Sequence, residues 1–380
     1  MPDQTSVPLR RLVGYFLRLG TFGFGGPIAL AGYMQRDLVE RRQWIRKEDY
    51  VQGLALAQLA PGPLAAQLAI YIGWVRARVV GATLVAFAFI LPSFCMVLAL
   101  AAAYVELGGL PWMQGVFYGI GAAVIAIIAR SVYKLARMTL VRDPVLWSVF
   151  AINAFVTGWT ESELVTVFIA SGLVVYLVRI RPFLGGTAPS VAPWAFWLTG
   201  LHDAASASTL WQIGWYFAEA GAFVFGSGLA IVPFLHGGVV EHFGWLTERQ
   251  FLDAVAIAMI TPGPVVITVA FIGYLVGGPV GATVAAIGVF LPCYLFVIVP
   301  APYFHRVAEN RSIKAFVDGV SAAATGAIAG AGFVLGRRAL TDLPTIAIAV
   351  VTFGVLTYQK KLPEPLVIVA AGLVGVALAR

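Results

Sequence analysis

The chain has 380 residues, 60% of them hydrophobic and only 11% charged, with a formal net charge of +7. Apolar runs long enough to enter a bilayer alternate with short charged loops, which excludes a soluble globular protein and predicts an all-α polytopic membrane protein. The positive balance does not mark a nucleic-acid binder, because Lys and Arg lie between the apolar runs, where they act as topology signals. Cys95 and Cys293 sit inside apolar runs with no C-x-x-C or His partner at ligand spacing. Neither a disulfide framework nor a metal site is indicated, and both are expected as buried packing residues.

Arg10 and Arg11 precede the first apolar run without a following small-residue cleavage site, so an uncleaved first segment is expected. That segment, Leu12 to Met34, carries Gly20, Gly23, Gly25, Gly26 and Pro27, too much backbone freedom for one helix, and predicts a pair of half-helices. The polar run from Gln35 to Tyr50 interleaves basic and acidic residues around Trp44 and predicts a helix lying at the membrane interface. Next, the apolar stretch Leu54 to Trp74 is broken by Pro61-Gly62-Pro63. Proline lacks the N–H an intrahelical bond needs but suits a first helical turn, so the run reads as a stop followed by a fresh helix start. In a bilayer the N–H groups of such a start are costly unless filled, and an anion is the partner their dipole favours. Val79 to Val105 is long enough to span, with Pro92 in its middle; Gln114 to Leu135, Val145 to Trp159 and Leu164 to Ile180 complete the half. The last two are short for a span and are expected to pack inside.

Residues 181–210, rich in Pro, Gly, Ser, Thr and Ala, read as a linker between a first repeat, 1–180, and a second, 211–380. The pattern then recurs. Gly20 to Gly25 is answered by Gly221 to Gly226, Trp44 by Trp245, Pro61-Gly62-Pro63 by Pro262-Gly263-Pro264, Gly81-Ala82-Thr83 by Gly281-Ala282-Thr283, and Leu91-Pro92 by Leu291-Pro292. Matching broken segments in two halves point to a transporter whose site lies near the midplane at the repeat interface. Loop charge predicts inversion of the halves. Arg36 to Lys47 is basic where its counterpart, His236 to Arg249, is not, and Glu106 to Trp112 lacks the Arg306, Arg311 and Lys314 of its own counterpart. Arg10, Arg11, Arg337 and Arg338 do not follow this pattern.

The sequence resembles the chromate ion transporter family in its full-length, two-repeat form. The likeness rests on Phe24-Gly25-Gly26-Pro27, Leu38-Val39-Glu40-Arg41-Arg42-Gln43-Trp44, Pro61-Gly62-Pro63 with Gln67 to Trp74, and Thr261-Pro262-Gly263-Pro264 with Phe271 to Tyr274. The resemblance implies a cofactor-free, multi-pass carrier in a prokaryotic inner membrane that exports chromate and confers chromate resistance. The expected partners are a chromate- or sulfate-like oxyanion and membrane lipid, with a homodimer left open. One departure is that Phe225-Gly226-Ser227-Gly228 has no proline equivalent to Pro27.

The candidate substrate contacts are Arg18, Gly25, Gly26, Pro61, Gly62, Pro63, Gln67, Gly226, Thr261, Pro262, Gly263 and Pro264, with Glu219 as a proton-coupling acid. Arg18 and Glu219 occupy equivalent positions in apolar surroundings, where an ionisable group is a functional hypothesis, although Arg18 is near enough to the segment start to snorkel. The glycines serve either a site or close helix approach. Gln58, Gln67, Thr261 and Thr268 offer hydrogen bonds beside the breaks or between helices, and Asp253 and His236 are weaker proton candidates. Four scattered histidines supply no catalytic or metal cluster for an enzyme, and an assembly subunit would not need duplicated broken segments. An anion channel shares the chemistry. Physics alone does not separate chromate from sulfate, which share shape and charge, so sulfate is expected to compete.

Overall fold

The structure, a computed structural model, describes residues 7–24, 26–107, 111–160, 165–180, 207–223, 231–303, 311–359, 362 and 364–378. Gly25, Gly226 and residues 181–206 of the expected linker lie outside the described residues. The first half contains α1 (Leu9–Phe22), α2 (Gly26–Met34), α3 (Lys47–Leu59), α4 (Leu64–Leu107), α5 (Pro111–Thr139), α6 (Pro144–Thr160) and α7 (Val165–Ile180). The second repeats the series as α8 (Ala207–Phe223), α9 (Ile231–His236), α10 (Glu248–Ile260), α11 (Thr268–Ile298), α12 (Arg311–Ala339), α13 (Leu343–Tyr358) and α14 (Glu364–Leu378). The described residues hold no strand. The protein is a multi-pass α-helical membrane protein. Four helical stretches are long and apolar enough to cross a bilayer: Leu64–Glu106, Gly115–Thr139, Val265–Tyr303 and Lys314–Ala339.

Two of those stretches are not single rods. In α4 the helix breaks at Ala77 (φ −150°, ψ 36°) and Arg78 (φ 52°, ψ −139°), and in α11 at Gly277 (φ −139°, ψ 23°) and Gly278 (φ 62°, ψ −156°). Each chain doubles back there, and glycine permits the close return: a Cβ on Gly73 would lie 2.4 Å from the Gly81 carbonyl oxygen, and one on Gly273 2.5 Å from that of Gly281. The inner arm, 64–76, is therefore about 20 Å long at 1.5 Å per residue. It pairs antiparallel with α3, where Gly53 packs on the Tyr71 ring and the Tyr71 hydroxyl donates to Gln52. A hairpin of this length reaches past the middle of a roughly 30 Å hydrocarbon core, with Pro61-Gly62-Pro63 at its tip. The outer arm, 79–107, is the spanning helix.

The halves exchange helices. The interior helix α5 packs against α13 and α14 of the second half, and α12 packs reciprocally against α6 and α7 of the first, while α4 meets α11. Small residues allow the approach. A Cβ on Gly119 would strike the Ala371 carbonyl oxygen at 1.9 Å, and one on the equivalent Gly319 would meet that of Ser171 at 2.8 Å. Ion pairs join the same elements, Arg130 to Glu364 at 3.1 Å and Arg179 to Asp318 at 2.5 Å.

Three expectations are corrected. The polar run is not one interfacial helix: residues 35–41 continue α2 as a π-helical turn, and α3 begins only at Lys47. Buried Leu38 and Ile45 hold the chain to the core, and the Leu38 carbonyl accepts from both Trp44 and Ile45 N–H, which closes a tight non-helical turn. Secondly, α6 and α7 do not pack inside, since Trp147, Ile152, Phe155, Trp159, Leu173 and Leu177 are exposed. The Gly- and Ala-rich faces of α5 and α12 take the interior because helices can approach them closely, which leaves the bulky apolar faces for lipid. Thirdly, Cys95 is exposed, and only Cys293 is buried.

Asp143 caps α6 by accepting from Val145 N–H at 2.8 Å, and also binds Arg179 at 2.6 Å. The Arg179 hydrogen bond holds its carboxyl below the ordinary carboxylate value. A lowered folded-state value means that this contribution is present at neutral pH and is lost as pH falls through the carboxylate range and below. Asp143→Asn keeps a capping oxygen but loses the charge, so in detergent it should unfold more easily by up to about 1 kcal/mol at neutral pH and match the parent in acid. Thermal unfolding followed against pH checks this.

Candidate functional site

Each P-G-P turn joins a helix end to a helix start. Ala60 and Thr261 close α3 and α10, and their N–H groups bond back to Leu56 and Ile257. Pro63 and Pro264 open the next helical turn, their carbonyls accepting from Gln67 N–H at 3.1 Å and Ile267 N–H at 3.0 Å. Between them Gly62 (φ 132°) and Gly263 (φ 103°) adopt a backbone that a side chain would strain. Gly62, Pro63, Pro262, Gly263 and Pro264 are buried, and Pro61 is half-buried.

Each turn packs against the opposite half, and the second is also hydrogen-bonded to it. Ser93 of α4 donates its hydroxyl to the Pro262 carbonyl at 2.7 Å, with the Gly20 carbonyl a second acceptor at 3.3 Å, and Gly263 N–H donates to the Gly23 carbonyl at 2.9 Å. The glycine cluster of the first half thus meets the P-G-P turn of the second. Reciprocally, Cys293 of α11, the positional equivalent of Ser93, donates to the Val289 carbonyl at 3.2 Å and lies 3.6 Å from that of Gly221. A Cβ on Gly62 would stand 2.8 Å from its sulfur. Sequence reading missed Ser93 and assigned Cys293 to packing alone. The signal was present, because each follows directly on the paired Leu91-Pro92 and Leu291-Pro292.

Gln67 is fully buried and its amide nitrogen donates to the Pro61 carbonyl. Thr261 and Thr268 are buried too, but their hydroxyl protons go to helix carbonyls, those of Ile257 and Val265, both at 2.7 Å. Gly26 opens α2, directly after the Gly23 turn. Gln58 is exposed.

The structure does not bring Arg18 to the turns. It is exposed on the side of α1 away from the buried stripe of Leu12, Phe16, Leu19 and Gly20 that packs on α4. Glu219 is half-buried on α8, beside the buried Ala220. Asp253 is buried in α10 and accepts from the Tyr104 hydroxyl at 2.7 Å. His236 and Glu241 share a cluster with Glu248 in which ligand atoms lie within 4.8 Å of one another, a spacing a metal would accept. Arg338 binds both carboxylates and already supplies positive charge there.

Comparison with known proteins gives a consistent result. The family model described as "Chromate transporter" matches residues 10–176 and 211–376. A chromate transport protein of Cupriavidus metallidurans is 58% identical over 373 residues, covering 97% of this chain and 92% of that one. A probable chromate transport protein of Synechococcus elongatus is 55% identical over 380 residues, covering 97% and 95%. A chromate transport protein of Pseudomonas aeruginosa is 31% identical over 400 residues, covering 99% and 93%. No solved structure matches the chain.

Proposed function

The chain belongs to the chromate transporter family, and we propose on that premise that it is a secondary active carrier that exports chromate across a prokaryotic inner membrane and thereby confers resistance. The observation that carries this reading is the pair of buried P-G-P helix starts, each at the tip of a half-membrane hairpin and each packed against the other half. Two helix N-termini, each equivalent to about half a positive charge, offset much of an oxyanion's charge without a fixed cation, which keeps release feasible. Rocking of one half on the other would change both contacts together, as alternating access requires. Uptake of labelled chromate into everted vesicles tests the reading. A Pro61→Ala, Pro262→Ala double variant should lose most of the flux, and flux no greater than in empty vesicles for the parent would refute it. A channel would instead equilibrate chromate and fail to accumulate it under an imposed proton gradient.

The halves are proposed to be inverted. The approach of the outer arms supports this: Thr83, near the start of the outer arm of α4, is hydrogen-bonded to Tyr294, near the end of α11, so the two equivalent arms run antiparallel, and loop charge favours the same arrangement. Single cysteines at Gln43 and Gly244, which occupy equivalent tight turns with φ 51° and 60°, should then label from opposite faces. Labelling from one face would exclude inversion. For coupling, the acids proposed are Glu219 and Asp253, half-buried and buried respectively.

A further inference from the structure

We propose that the first P-G-P turn takes the oxyanion in its monoprotonated form, and that Gln67 is the residue that reads the proton. This rests on the chromate reading above and deepens it. Gln67 lies in the first turn of the inner arm of α4 and is 0% exposed. Its amide orientation is fixed, because the Pro61 carbonyl can only accept, so Nε2 must face it and Oε1 must face away. That Oε1 is buried and has no hydrogen-bond partner among the described residues. A buried acceptor left without a donor is costly and calls for one.

The described neighbours do not provide it. The amide lies against the turn itself, since a Cβ on Gly62 would stand 2.6 Å from Gln67 Nε2 and 2.8 Å from Cys293 Sγ. The Cys293 thiol, which faces the same glycine, spends its proton on the Val289 carbonyl. Tyr71, one turn along, donates to Gln52 on α3. On α3 the acidic residues Glu48 and Asp49 sit in the first turn, at the base of the hairpin, and Asp49 is paired with Arg46. Arg76 ends the inner arm and Arg78 lies in the break beyond it, about 13 Å or more along the axis from Gln67. On α1, Arg18 points outward, and on α11 the Tyr294 hydroxyl is bonded to Thr83. The second half makes no such demand: Thr268, equally spaced from its P-G-P turn, donates to Val265. The orphan acceptor is thus particular to one of two otherwise matched turns and is not a requirement of the fold.

Two chemical demands meet at this turn. The helix start favours negative charge, and Oε1 asks for a donor. A fully ionised tetrahedral oxyanion offers acceptors only, whereas its monoprotonated form keeps a charge and presents one O–H. Chromate takes up its proton near neutrality; sulfate and selenate do so only in strong acid. Gln67 therefore supplies a discrimination that tetrahedral shape and charge do not, because a buried group built to meet a hydroxyl rejects the analogue that lacks it.

Selenate matches chromate in shape but remains a dianion, which makes it the probe. In vesicles at one fixed neutral pH, unlabelled selenate and sulfate should compete with labelled chromate roughly 10- to 100-fold less well than unlabelled chromate does. The apparent KM for total chromate should rise about tenfold per pH unit once the medium is alkaline enough to deprotonate it. In Gln67→Leu the competitors should gain ground and that pH slope should flatten. Selenate competing as well as chromate in the parent protein overturns the proposal, whatever the variant does. So does a Gln67→Leu with unchanged selectivity and slope, which would mark Oε1 as a bound-water site. Absence of any chromate flux in the parent protein would instead refute the carrier reading itself.

Discussion

Gly263→Ala is expected to abolish chromate flux while leaving the protein inserted and folded. Two costs combine at this position. The backbone sits at φ 103°, where a non-glycine residue is strained, at about 1–3 kcal/mol. A Cβ there would also lie 1.9 Å from Ser93 Oγ and 3.0 Å from Ser93 Cβ, so the turn must retreat from α4 and release the bonds to Pro262 and Gly23. Ser93→Ala in the same chain removes the closest clash but neither the backbone strain nor the contact with Cβ, and should restore flux only in part. Gly62→Ala should behave similarly, at φ 132° with Gln67 Nε2 at 2.6 Å. Gly32→Ala, with nothing within 4 Å of its Cβ, is the control for mutation of a glycine as such. Parent-level flux in Gly263→Ala would show that the turn does not need its observed conformation to transport.

The duplicated broken segments were legible because proline and glycine act locally: a P-G-P run stops a helix wherever it lies. The return at the far end of each hairpin was half legible. In the second half Gly277-Gly278-Pro279 announces it, but in the first the same turn is made by Ala77 and Arg78, with Arg78 at φ 52°, and nothing in those residue types signals a reversal. Arg18 shows the opposite failure. Its apolar sequence neighbours suggested a buried charge, yet burial on a helix depends on the face, and Arg18 lies on the outer one. The contact made by Ser93 and Cys293 could not be read from spacing, because it joins residues far apart in the chain, such as Ser93 and Pro262. Only the repeat alignment puts the two in register. The same holds for the exchanged helices: small-residue faces on α5 and α12 foretell close packing but not which half supplies the partner.

That exchange leads to the second large effect. Residues 1–180 expressed alone should not yield a stable or active protein, and neither should residues 207–380, whereas the two co-expressed should reassemble and transport. A repeat with its own core would tolerate separation, but here α5 of the first half loses α13 and α14, and α12 of the second loses α6 and α7. The glycine contacts that close these pairs, Gly119 with Ala371, Gly319 with Ser171 and Gly326 with Phe150, all run between halves. Helix association in a bilayer depends on such close packing because lipid offers no hydrophobic drive. Alone, each half would also lose the packing on its P-G-P turn and leave Arg179 without Asp318, or Glu364 without Arg130. The break falls between α7 and α8, where a covalent connection would add mainly effective concentration, so co-expression should recover a substantial share of flux. Size-exclusion of each half in detergent, with vesicle flux for the pair, checks both statements. A monodisperse first half that transports chromate by itself would show that the exchanged interface is dispensable.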